Sequence, residues 1–133
     1  MIPTLKNITL LWPNSKNLRE NLESVIEKIS MTRSVVVIDS LNGFFNILED
    51  DDAGMLINSF IMMLASSAKN TKSIILVGSL SKLNEENEFV LYSSGRHVID
   101  NKHMEKIQLV ESNGLLKINI LNFDNSTKSS FSA

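Results

Sequence analysis

The sequence predicts an α/β fold, a three-layer, mostly parallel sheet flanked by helices and extended at its C-terminal end by an antiparallel hairpin. Three observations predict it. Val35-Val36-Val37-Ile38 and Ile74-Ile75-Leu76-Val77 are continuously apolar and do not alternate, as expected of parallel strands covered on both faces. Stretches with helical spacing of apolar residues precede and separate these runs, the pattern that right-handed crossovers require. Asn113-Gly114, between two further apolar runs, is the strongest short hairpin signal in the chain, because both residues tolerate positive φ.

The elements follow in order. Residues 7–12 (Asn-Ile-Thr-Leu-Leu-Trp) read as a short buried strand stopped by Pro13. A helix follows, with Leu18, Leu22, Val25, Ile26 and Ile29 on one face, Arg19, Glu20, Glu23, Glu27 and Lys28 on the other, and a variant capping box from Asn17 and Glu20. After the strand of residues 35–40, four carboxylates at 49–52 suit the positive end of a helix dipole. An acidic metal-binding loop is the alternative reading of those four. The helix of residues 53–69 is apolar on nearly every side, so it is expected to be buried or to meet another subunit. A strand over 73–79 and a polar loop over 80–88 come next, then strands at 89–92, 97–99, 105–111 and 115–123.

The length of 133 residues suits one domain, placed over residues 1–123. The Ser-, Asn- and Lys-rich residues 124–133 are expected to be a flexible tail. A content of 43% hydrophobic and 21% charged residues is that of a globular chain with a packed core. Thirteen basic against fifteen acidic side chains give a net charge of -2, so no overall basic field favours nucleic acid as the partner. The absence of cysteine excludes disulfides, thiolate metal sites and a cysteine nucleophile. No long apolar run and no leader-like N-terminus stand out, so a cytoplasmic protein with no membrane association is expected.

The run Ser34-Val35-Val36-Val37-Ile38-Asp39-Ser40-Leu41 resembles the Walker B strand of the RecA/KaiC-like branch of the P-loop ATPases. The similarity covers roughly residues 7–123, and it implies a RecA-like sheet with Asp39 holding magnesium through water. It further implies a γ-phosphate-sensing polar residue at Ser79 or Ser81 and a closing hairpin over residues 107–123. The departures are as informative. None of Gly43, Gly54, Gly78, Gly95 and Gly114 begins a phosphate-loop spacing, and Pro13-Asn14-Ser15 stands where the family's catalytic glutamate would lie. The chain is therefore read as a truncated or degenerate member lacking the Walker A motif.

That reading makes it a non-catalytic interaction or regulatory subunit, self-associating or joining an active ATPase partner, with no cofactor expected. Met55, Phe60, Met62, Met63 and Arg96 are its candidate interface residues, the methionines for their adaptable packing and Arg96 as a residue that could reach a neighbour's nucleotide. One alternative is an ATPase-like enzyme binding Mg-nucleotide at Asp39, Ser40 and Ser79, with Asp39 as the metal ligand. Another is a nucleic-acid binding accessory factor using Lys69, Lys72, Lys82, Arg96 and Lys102. His97, Asp100 and His103 have no spacing that would bring them to one ion, and Trp12 reads as a core residue.

Overall fold

The computed structural model describes residues 7–48, 52–92, 96–97 and 104–133. They fall into two compact units, residues 1–80 and 81–133.

In the first unit, α1 (Leu18–Met31) leads to β1 (Val35–Ile38), then α2 (Leu41–Ile47), α3 (Ala53–Thr71) and β2 (Ile74–Val77). β1 and β2 pair in parallel, with Val35 beside Ile74 and Ile38 beside Val77. Helices α1 and α3 pack on each other, and α3 also meets β2. Leu18, Leu22 and Ile29 from α1 join Ile57, Phe60, Ile61, Leu64 and Ala68 from α3 in the core, together with Ile38 and Leu41. Phe44 of α2 meets Phe60 edge to face, with ring centroids 6.2 Å apart. Lys72, at φ 57°, ends α3 in the left-handed conformation, its N–H bonding the Ala68 carbonyl.

The described strands of the second unit all pair antiparallel. β3 (Ser81–Leu83) pairs with β4 (Phe89–Leu91), and β5 (Lys106–Ser112), β6 (Leu115–Leu121) and β7 (Thr127–Ser132) form a three-stranded meander. Asn113 at φ 53° and Gly114 at φ 75° make the tight turn between β5 and β6. The β3–β4 and β6–β7 connections share one device, an asparagine in the left-handed region at Asn87 (φ 61°) and Asn125 (φ 68°). The two turns touch, because Asn125 Nδ2 donates to the Asn87 carbonyl at 2.9 Å. Lys106 Nζ reaches the same place, donating to the Phe123 carbonyl at 2.8 Å and to Asn125 Oδ1.

The predicted fold class is corrected by this topology. There is no extended parallel RecA-like sheet: the sheets have two or three strands, and β1–β2 is the one parallel pair among the described residues. Residues 8–12 form no strand. The Asn17 side chain does not cap α1; its Oδ1 accepts from the Asn14 N–H at 2.7 Å, so the capping box does not form. Lys28 Nζ donates to Thr9 Oγ1 at 3.4 Å, which lays the preceding segment alongside α1 and away from any ladder. Trp12, read as core, is 83% exposed. The polar loop contains β3, and residues 127–132, expected within a flexible tail, form β7. Of the four carboxylates, Glu49, Asp50 and Asp51 lie outside the described residues, while Asp52 stands at the start of α3 without a side-chain cap bond.

Two outcomes check this packing. Leu64, at 0% exposure, should lose about 2–5 kcal/mol of unfolding free energy on Leu64→Ala in a urea titration, whereas Met62→Ala on the exposed side of α3 should change it by under about 0.5 kcal/mol. The Asp124 carboxyl is held below its ordinary value of 3.8, first by the Ser126 hydroxyl and then by the Ser126 N–H, both of which it accepts. A lowered folded value means the turn's stabilisation is complete above 3.8 and is lost as pH falls through the lower folded value. The protection factor of the Ser126 amide, its exchange rate relative to an unstructured peptide at the same pH, should therefore fall at acid pH in the native chain, and Asp124→Asn should remove that acid dependence.

Candidate functional site

The residues that resemble a Walker B strand end converge at the carboxyl ends of β1 and β2. Parallel pairing in register carries Ile38 to Val77, so Asp39 and Ser40 leave one strand level with Gly78 and Ser79 on the other. Gly78 N–H donates to the Ile38 carbonyl at 2.9 Å, and the Gly78 carbonyl accepts from Leu41 N–H at 3.0 Å. Ser40 is extended, at φ -140° and ψ 172°, and its carbonyl opens α2 by accepting from Gly43 and Phe44. An ideal Cβ on Gly78 would stand 4.0 Å from Asp39 Oδ1, which places that carboxylate across the start of the Gly78-Ser79 segment.

Asn42 completes the arrangement. Its Oδ1 accepts from Leu80 N–H at 2.8 Å, and its Nδ2 donates to the Leu80 carbonyl at 3.1 Å. The side-chain amide thus pairs with the Leu80 backbone as a neighbouring strand would, and it holds the exit of β2 against the start of α2. The sequence reading did not single out Asn42, although an asparagine in Asp39-Ser40-Leu41-Asn42-Gly43 carries the signal of a side chain that competes for backbone partners.

The carboxyl ends of parallel strands are where α/β proteins bind ligands. Asp39 and Ser79 are exposed and Ser40 is half-buried, so water reaches all three. A solvated carboxylate flanked by hydroxyls can hold a hydrated cation or accept from a polar ligand. Asp39 by itself is a weak divalent-cation ligand and would repel a bare triphosphate. No group of three or more His, Asp or Glu side chains is placed to hold a metal ion among the described residues.

No family model, curated protein or solved structure matches the chain. Its site is therefore read from its own geometry.

The other candidates are dispersed. Met55, Met62 and Met63 lie on the exposed side of α3, whereas Phe60 faces the core at 4% exposure and is not on that surface. Arg96 belongs to the second unit, where its carbonyl accepts from Leu91 N–H at 2.8 Å. Of the basic residues, Lys69 and Lys72 belong to the first unit, and Lys82 and Arg96 to the second. Lys82 Nζ stands 5.8 Å from the Tyr92 ring centre, and Lys102 lies outside the described residues. His97 Nδ1 is 3.4 Å from Glu88 Oε2 at an exposed position, while Asp100 and His103 lie outside the described residues.

The most conspicuous surface of the first unit is one that the continuous apolar runs did not foretell. Val36, Ile38, Ile75 and Val77 form the more buried face of the parallel pair. On the opposite face, Val35, Val37, Ile74 and Leu76 are 62%, 66%, 52% and 51% exposed. Nor does any helix among the described residues have the length and apolarity to cross a membrane.

The Asn42 clasp has a direct test. Asn42→Ala should cost about 0.5–1.5 kcal/mol and speed amide exchange at Leu80, measured by NMR. Asn42→Asp, which keeps the acceptor and loses the Nδ2 donor, should give intermediate protection.

Proposed function

We propose that this chain is a non-catalytic interaction or regulatory subunit that works in an assembly, and that it associates through the open apolar face of the β1–β2 pair. The observation that carries this reading is the exposure of Val35, Val37, Ile74 and Leu76 together. Parallel sheets are stable when both faces are covered, and four contiguous aliphatic side chains on a bare face form the kind of patch that marks a contact surface. Met55, Met62 and Met63 on α3 add adaptable apolar area on the same unit. A second copy is the simplest partner; an active ATPase is the other partner that the Walker B-like strand brings to mind.

A second reading has its own observation, the convergence of Asp39, Ser40 and Ser79 at the strand ends. It makes the chain a Mg-nucleotide binder. A rise in melting temperature with magnesium and ATP, ADP or GTP that Asp39→Ala abolishes would carry that reading. No rise is expected if the interaction role is the whole function.

For the first reading, sedimentation equilibrium on the purified chain should give a mass above that of one copy. Leu76→Lys should return it to the mass of one copy while leaving the melting temperature within a few degrees, since the substituted side chain is outside the core. A native chain that sediments as one copy at all concentrations, and recovers no partner, would contradict it.

A further inference from the structure

The first unit leaves open both a sheet edge and a strand-like segment. β1 is hydrogen-bonded to β2 alone among the described residues. Ile74 N–H donates to the Ser34 carbonyl and Gly78 N–H to the Ile38 carbonyl. Hydrogen bonding in a parallel ladder alternates along each strand, so Val35 and Val37 turn their own N–H and C=O groups to the free edge. A free edge of this kind is a template for one more strand.

The segment with the composition of that strand is residues 8–12. Ile8, Leu10, Leu11 and Trp12 are all exposed, and the segment joins no ladder among the described residues. The Asn14 carbonyl accepts from Leu18 N–H at 3.0 Å and Asn14 Oδ1 accepts from Lys16 N–H at 2.9 Å, which fixes the turn into α1. The Lys28–Thr9 hydrogen bond then keeps the segment against its own α1. Topology says where such a strand would fit. A strand placed before α1 and pairing in parallel with the free edge of β1 gives the order strand, β1, β2, and right-handed crossovers then put α1 and α3 on one face of the sheet. These helices do pack together.

We infer that residues 8–12 of one copy add as a parallel strand to the free edge of β1 in a second copy, and that the exchange is reciprocal. This rests on the self-association reading above and gives it a mode. Each copy carries one donor segment and one acceptor edge, so two copies satisfy each other about a two-fold axis. The area is sufficient. Burying an aliphatic or aromatic side chain removes on the order of 100 Å² from water. Ile8, Leu10, Leu11 and Trp12 of the exchanged strand, together with Val35, Val37, Ile74 and Leu76 of the open face that meets the partner's, are 43% to 83% exposed and offer on the order of 500 Å² per copy. The pair then covers on the order of 1,000 Å², the size at which a specific interface becomes stable. The added strand also supplies partners for the edge groups of Val35 and Val37.

The test uses the full chain. Leu10→Pro combined with Leu11→Pro removes a strand N–H directed at β1 in either register, so it should keep the circular dichroism of a folded chain while reducing the dimer to the mass of one copy and making the melting temperature independent of concentration. Because the chain has no cysteine, Leu10→Cys and Val37→Cys variants each carry a single thiol. Mixed and treated with a short bismaleimide, they should give a cross-linked heterodimer. In the double variant, cross-linked dimers should form with no internally linked single chain. A native chain of one-copy mass overturns self-association and the exchange together, and leaves the wider association reading to partner recovery. A dimer that survives the Leu10→Pro, Leu11→Pro double substitution, or that yields no Leu10→Cys to Val37→Cys heterodimer, overturns the exchange alone. An internal link in the double variant also overturns it, by showing that the strand returns to its own sheet.

Discussion

Two parallel strands cannot make a hairpin; a crossover must return the chain to the same end, and its helix must cover the sheet it crosses. In the first unit that requirement is met on one side. α3 spans the return from β1 to β2 and packs with α1, burying Ile57, Phe60, Ile61 and Leu64 against Leu18, Leu22 and Ile29. Each such side chain contributes about 1.5–3 kcal/mol, so the helix pair is the principal source of stability for a unit whose sheet has two strands among the described residues. The opposite face of those strands contributes nothing of this kind, since its four aliphatic side chains remain largely in water.

The same crossover makes the candidate site. Because the strands run in parallel and in register, their carboxyl ends arrive side by side, bringing Asp39 and Ser40 against Gly78 and Ser79. Two backbone hydrogen bonds and the paired Asn42–Leu80 bonds then close the gap between strand ends and α2. What results is a firmly held corner carrying a solvated carboxylate. Its backbone order is explained by the fold alone.

Much of the local structure was legible in the sequence, and the pairing was not. The spacing of Leu18, Leu22 and Ile29 marks α1, and Asn113-Gly114 marks the turn between β5 and β6, because those signals depend on neighbours a few residues away. The short α2 escaped notice because Asn42, Gly43 and Asn46 are poor helix formers and Ser40 opens the helix by its extended backbone alone. β7 escaped because Ser129, Ser130 and Ser132 read as tail, although Asp124 and Asn125 build the turn that returns them to β6. The strands of β1 and β2 were legible, but a continuous apolar run states that both faces want cover without stating what covers them. That gap is why a full three-layer sheet was expected and a half-covered pair is found. The Asp39 cluster was legible as a strand end with a carboxylate, while the Asn42 clasp depends on a partner 38 residues away.

The central claim is that the edge and face of β1 are covered in an assembly. The most direct measurement is amide hydrogen exchange at Val35 and Val37 as a function of protein concentration, because those two groups face the free edge. If the claim holds, their exchange slows as concentration rises, in step with the amides of residues 8–12. Fast exchange at Val35 and Val37 that is the same at every concentration would contradict it.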